Sequence, residues 1–202
     1  MTTAQSGPLL MTGATGFVGM ELLARVLEHT DRDVIALVRA ADDVAAQVRI
    51  DDVLESIVAP GARPHRGRVR AVAADLETPG LGISPIQRER IAGSVTAVVH
   101  CAASVSFTMP LDEARQINVE GTREIVKLAC DARSRGSLER FVHVSTAYVA
   151  GDRVGLISEH DGDVGQTFRN TYERTKLEAE QLVTSSGPVS YTHLTLPTTP
   201  YV

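Results

Sequence analysis

The sequence predicts an α/β fold, a doubly wound parallel sheet wrapped on both sides by helices. Short apolar runs alternate with stretches of helical periodicity along almost the whole chain, the pattern of strands joined by helical crossovers. The first run stops at three glycines spaced three apart, Gly13, Gly16 and Gly19, and a helical stripe follows at once. The length of 202 residues suits one sizeable core, so one domain is expected.

Composition narrows the class. Hydrophobic residues make up 43% and charged residues 22%, which describes an ordinary soluble globule. The net charge of -5 argues against nucleic acid as a partner. The arginine-rich stretch Arg63, Arg66, Arg68 and Arg70 with His65 reads as a solvated loop. No apolar run is long enough to span a bilayer, and none resembles a signal peptide. Cys101 and Cys130 lack metal spacing and read as buried reduced thiols of a cytoplasmic protein; no metal is expected.

The elements follow in order. Leu9–Met11 is the first strand, and Val18, Leu22, Leu23, Val26 and Leu27 mark the inner side of the first helix. Glycine in the turn between them lets the backbone take positive φ, and the free N–H groups at the helix start favour a pyrophosphate. Thr12, Gly13, Thr15, Gly16, Phe17, Val18 and Gly19 are therefore the expected phosphate cradle. Asp33–Val38 is a buried second strand closed by Arg39. In dinucleotide folds that position lies beside the adenosine ribose, where a guanidinium would clamp a 2′-phosphate and a carboxylate would hold the hydroxyl. Arg39 thus favours NADP over NAD.

A helix is expected over Asp42–Val58, broken by Pro60–Pro64, and Val69–Ala73 is the third strand, followed by Asp75-Leu76. Ser84-Pro85 opens a short helix as cap and first turn, and Gly93 closes it. Thr96–Cys101 is the fourth strand and runs into Ala102-Ala103-Ser104, whose small side chains allow close approach of a cofactor. Leu111–Ala132 reads as one long helix carrying Asn118, Gly121 and Thr122, and Phe141–Ser145 as the fifth strand. Gly151–Asn170 is a loop whose acidic cluster, Glu159, Asp161 and Asp163 around His160, reads as solvated; Tyr172–Ser185 is helical. Ligands of such sheets gather at the carboxyl ends of the strands. The glycine turn, Arg39, Asp75, Ala102-Ala103 and Thr146 all fall on that edge.

Thr146, Tyr172 and Lys176 are the candidate catalytic residues. Tyr172 and Lys176 stand four apart on a helix, so they share a face. A phenol titrates near about 10, and an adjacent ammonium would favour its ionised form and bring it into range for proton transfer. Lys176 could also hold a nicotinamide ribose, and Thr146 would orient a substrate oxygen.

Six stretches occur in an order that resembles the extended short-chain dehydrogenase/reductases: Thr12–Gly19, Asp75-Leu76, His100-Cys-Ala-Ala103, Asn118-Val-Glu-Gly-Thr122, Val144-Ser-Thr-Ala147 and Tyr172-Glu-Arg-Thr-Lys176. The likeness spans residues 8 to about 188. It implies an NADP-binding Rossmann domain with Thr146, Tyr172 and Lys176 as the catalytic set. It further implies that Asp75 and Leu76 touch adenine, that Ala102 and Ala103 line the cofactor cleft, and that Asn118 supports the active-site water and the lysine. Relatives pair as dimers through the helices holding Asn118 and Tyr172.

Within that family Ala36-Leu-Val-Arg39, His100-Cys-Ala-Ala-Ser-Val-Ser-Phe107 and Asn170-Thr-Tyr-Glu-Arg-Thr-Lys176 look most like the acyl-thioester reductases, meaning fatty acyl-CoA reductases and the reductase domains of carboxylic acid reductases. The implied reaction is reduction of an acyl thioester by NADPH to aldehyde or alcohol. A nucleotide-sugar epimerase or dehydratase uses the same three residues, and a non-catalytic dinucleotide-binding fragment is the other alternative. Residues 189–202 contain no Asp, Glu, Lys or Arg and resemble translated read-through of a sequencing-library adapter. The expectation is a C-terminally truncated Rossmann domain over 1–188, without its substrate lobe, followed by a non-native tail. The native alternative for the tail is a sixth strand, since Tyr191, His193 and Thr195 alternate with Thr192, Leu194 and Leu196.

Overall fold

A computed structural model describes residues 7–57, 67–158 and 160–186 together with the backbone of 191–196. The expected Pro60–Pro64 break, Arg63, His65, Arg66, Glu159 and the rest of the tail lie outside the described residues. Six strands form one sheet: β1 (Leu9–Thr12), β2 (Val34–Val38), β3 (Val69–Ala73), β4 (Ala97–His100), β5 (Arg140–Thr146) and β6 (Tyr191–Leu196). Every pairing is parallel and the order is β3-β2-β1-β4-β5-β6. The chain therefore winds outward from β1 in one direction and from β4 in the other. The crevice where the winding reverses opens at the ends of those two strands, beyond Thr12 and His100.

Side chains that alternate along the strands divide the core in two. Leu9, Met11, Val34, Ala36 and Val38 meet Leu23 and Leu27 of α1 (Phe17–His29) and Ile50 and Leu54 of α2 (Asp43–Ile57) on one face. Leu10, Ile35, Val98 and Phe141 meet Ile91 of α3 (Pro85–Ala92), Ile125 and Leu128 of α5 (Gly121–Ser134) and Val183 of α6 (Thr171–Ser185) on the other. Caps set the helix starts: the Asp42 carboxylate accepts from Ala45 N–H, and Ser84 and Gln87 form a reciprocal capping box. Gly93 ends α3 as expected, though in an ordinary right-handed conformation.

The long helix expected over Leu111–Ala132 has a more specific form. It runs as α4 (Leu111–Arg115), a π-helical turn at Gln116–Glu120 and then α5, with right-handed backbone at each junction. The wide turn contains Asn118. Such turns recur at functional sites because the extra residue re-aims the side chains around it.

Three further details correct the sequence reading. Arg68 is a clasp and not a solvated cation, since its guanidinium donates to the carbonyls of Leu27, Thr30 and Arg32. Asp161 pairs with Arg153 at 2.6 Å, so part of the acidic cluster holds its own loop together. Cys130 is exposed and Cys101 only half-buried, so neither is a core thiol. Among the described residues no helix is long and apolar enough to cross a membrane.

Candidate active site

Glycine makes the cradle possible at two points. Gly13 stands at φ +72°, and a Cβ there would lie 2.7 Å from the Ala102 nitrogen. Gly19 packs so closely on the turn that a Cβ would lie 1.9 Å from the Gly13 carbonyl oxygen. The turn closes with Gly16 N–H donating to that same oxygen at 2.9 Å. Helix α1 then begins with no side-chain cap and no acidic residue in its first turn. Its N–H groups and positive end are left for an anion.

A cavity of about 600 Å³ opens above the crevice, within the range of small-molecule sites. Thr12, Gly13, Thr15, Gly16, Phe17, Val18, Gly19, Arg39, Asp75, Leu76, Ala102, Ala103, Tyr172 and Lys176 all line it. Asn118 and Thr146 do not, and both are buried behind the wall. Asn118 acts on the wall from inside: its side-chain oxygen accepts from Ser104 N–H at 2.7 Å, and its amide donates to Ser104 carbonyl and to Thr175 hydroxyl, each at 3.0 Å.

Sequence reasoning missed several lining residues. Arg49, on α2, donates to the Arg39 carbonyl, so two guanidiniums flank one end of the cavity. Glu77 also lines that end and stands 3.7 Å from Arg39. Asp75 faces the cavity while its carboxylate accepts from Glu77 N–H at 3.0 Å, so it is both a turn residue and a lining residue. Leu81 sits beneath this corner, fully buried at φ +65°, a left-handed conformation costly for a branched side chain.

At the other end α6 delivers Tyr172 and Lys176. Asn170 caps the helix by accepting from Glu173 N–H, and Glu173 accepts from Arg169 N–H, so the first turn is fixed. The pair Asn170 and Glu173, three apart, was the readable signal for that start. Lys176 is buried, and its ammonium donates to the Val144 carbonyl at 2.7 Å and faces His143 Nε2 at 3.3 Å. Burial lowers its titration to about 8, opposed by Cys101 and Glu180, so it is charged at neutral pH.

The expectation that this ammonium draws the phenol down is corrected by the geometry, because Lys176 reaches into the sheet. Burial pushes the Tyr172 phenol above its usual range, opposed by a hydrogen bond from the Thr146 hydroxyl and reinforced by Cys101 and Tyr148. A phenol so placed keeps its proton at neutral pH, which suits an acid. Thr146 meanwhile caps the short turn after β5 by accepting from Tyr148 N–H.

Between the two ends lies a buried polar relay. Thr122 hydroxyl donates to Asn118 carbonyl at 2.6 Å, which leaves its oxygen to accept from His100 Nε2–H at 2.9 Å. His100 Nδ1 must then accept, from Thr12 hydroxyl at 2.7 Å, while Thr12 oxygen accepts from Cys101 and Ala102 N–H. The network assigns the Nε2–H tautomer. It ties the glycine turn, the end of β4 and the π-helical turn into one unit.

Burial, reinforced by the Lys176 charge, lowers His100 to about 3 from an ordinary 6.5. The unfolded chain therefore takes up this proton first as pH falls. The stability His100 contributes is complete above about pH 6.5 and is lost progressively toward pH 3. Between pH 6.5 and 4 the loss should approach about 3 kcal/mol. Urea unfolding across that window should show a clearly shallower pH dependence in His100→Gln than in the parent chain; equal slopes would remove His100 as the cause.

The family described as male sterility protein, an NAD-binding family, matches residues 11–192. Fatty acyl-CoA reductase 1 of Mus musculus is 36% identical over 151 residues, which are 72% of this chain and 29% of that protein. Isonitrile lipopeptide synthase of Streptomyces coeruleorubidus is 36% identical over 183 residues, 87% of this chain and 12% of that protein. Among solved structures, the terminal R domain from the myxalamid PKS-NRPS biosynthetic pathway aligns with a TM-score of 0.82 at 31% identity, covering 95% of this chain and 48% of that one. The chain thus spans less than half the length of each.

Proposed function

Because the chain belongs to the male sterility protein family, within the extended short-chain dehydrogenase/reductases, we propose that it is an NADPH-dependent reductase of acyl thioesters. One observation carries the reading: a single cavity runs from the glycine cradle to Tyr172 and Lys176, so a nucleotide and a proton-donating phenol share it. The residues fit such a cofactor, since the start of α1 lines the cavity with no side-chain cap and no acidic residue in its first turn.

When bound, the nicotinamide supplies a hydride for the thioester carbonyl carbon. Gly13–Gly19 would hold the pyrophosphate, Asp75 and Leu76 the adenine, Ala102 and Ala103 the cleft wall, and Lys176 the nicotinamide ribose. Tyr172 would hydrogen-bond the carbonyl oxygen and stabilise the negative charge it gains as the carbon becomes tetrahedral, with Thr146 donating to the phenol oxygen from behind the wall. Collapse of that oxyanion expels the thiolate, which takes a proton, and leaves an aldehyde. Reduction of the aldehyde to the alcohol would need the hydride of a second NADPH and a proton on the oxygen, which Tyr172 would donate. Asn118 would act through the Ser104 loop it clamps and through Thr175, beside Lys176. The same reading includes a cytoplasmic location and pairing of two copies through the helices holding Asn118 and Tyr172.

Arg39 and Arg49 favour a 2′-phosphate, while Glu77 is positioned to moderate that preference. Arg39→Ser combined with Arg49→Ser should weaken NADPH binding at least ~10-fold and leave NADH within about 2-fold. Equal losses for both nucleotides would assign the arginines another role. The reaction class is tested by NADPH oxidation with a long-chain acyl-CoA beside a nucleotide sugar. Consumption with the thioester alone is expected. Conversion of the sugar without net NADPH consumption, read by product analysis, would make the protein an epimerase or dehydratase, and neither conversion nor consumption would make it a dinucleotide-binding chain without turnover.

A further inference from the structure

The segment between β4 and α4 presents apolar side chains that no step above uses. Val105 is 68% exposed and Phe107 53%, and Val105 and Met109 line the cavity beside Tyr172. The Phe107 ring packs on Tyr172 with centroids 5.7 Å apart and meets Tyr148 edge-on at 6.3 Å. This loop is held at both ends: Asn118 grips Ser104 through two hydrogen bonds, and Thr171 hydroxyl donates to the Met109 carbonyl at 2.9 Å. Large apolar side chains fixed in an exposed position are a surface arranged to be covered.

Whatever is attached to a carbonyl held by Tyr172 must leave across its immediate surroundings. The thiol side of a pantetheine thioester carries two amides that need hydrogen-bond partners, and the side chains of Val105 and Phe107 offer none. The acyl side carries only methylenes, which gain by covering such a surface. We propose that Val105, Phe107 and Met109 form the subsite for the acyl chain past its first few carbons, with Phe107 as its specificity-determining residue. The proposal rests on the thioester reading and extends it to an extended apolar acyl group.

The test is isothermal titration of the NADP-saturated chain with butyryl-CoA and dodecanoyl-CoA, repeated with Phe107→Ala and Phe107→Leu. The longer thioester should bind ~10-fold more tightly or better. Phe107→Ala should remove most of that advantage while changing butyryl-CoA affinity less than about 2-fold, and Phe107→Leu should keep most of it. Equal weakening of both ligands, or a parent chain that fails to distinguish them, overturns the subsite. NADPH consumption is read separately. Turnover without chain-length dependence would refute the subsite and leave the reductase standing, whereas Phe107-dependent binding of dodecanoyl-CoA without hydride transfer would do the reverse.

Discussion

Gly19→Ala is expected to cost the chain about 3 kcal/mol or more and to abolish nucleotide binding. The added methyl would lie 1.9 Å from the Gly13 carbonyl oxygen and 2.6 Å from its carbon, both backbone atoms that cannot rotate away. Relief requires α1 to move off the turn. That movement breaks the Gly16 to Gly13 hydrogen bond and displaces the helix start that faces the cavity. Gly16→Ala is the contrast. Its methyl would meet nothing nearer than the Gly13 oxygen at 3.4 Å, and its φ of -92° is open to any residue. It should fold with a thermal midpoint close to the parent while weakening NADPH, because Gly16 lines the cavity. Thermal denaturation and fluorescence titration with NADPH read both effects. A stable Gly19→Ala chain that binds normally would show the turn to be more compliant than its contacts allow.

Much of the fold was legible because period and burial report local geometry. Val34–Val38 is apolar at every position and buried at every position, as a central parallel strand must be. Ser84-Pro85 announced a helix start through a cap that the structure contains. The glycine turn and the Tyr172, Lys176 spacing placed both ends of the cavity.

What the pattern could not supply was contact between distant segments. Arg49 reaches the Arg39 carbonyl only because α2 folds back along β2 and β3, and no spacing rule links the two. The π-helical turn at Gln116–Glu120 adds one residue to a helix without disturbing its apolar stripe, so the segment read as plain α-helix. Leu81 takes a positive φ that its identity argues against, because tertiary packing outweighs local preference there. The direction of Lys176 depended on the Val144 carbonyl, a backbone acceptor supplied by another strand.

That direction shapes the final prediction, Tyr172→Phe. The substitution removes one hydroxyl and keeps the ring that packs against Phe107, so fold and nucleotide affinity should be unchanged. Turnover should fall ~10²–10⁴-fold, the range for loss of a positioned general acid. Lys176 cannot take over. Its ammonium is engaged by the Val144 carbonyl and His143, and the remaining hydroxyl nearby, Thr146, is a far weaker acid. Thr146→Val should cost less, because Tyr172 still donates to the oxygen. It should also leave the phenol without the hydrogen bond that opposes its upward shift. A phenol titrating still higher holds its proton over a wider alkaline range, so the alkaline limb of the pH profile set by Tyr172 should move up in Thr146→Val. Single-turnover NADPH oxidation across pH separates the two variants. A Tyr172→Phe chain with near-parental turnover would transfer the proton-donating role to another group and dissolve the assignment of the site.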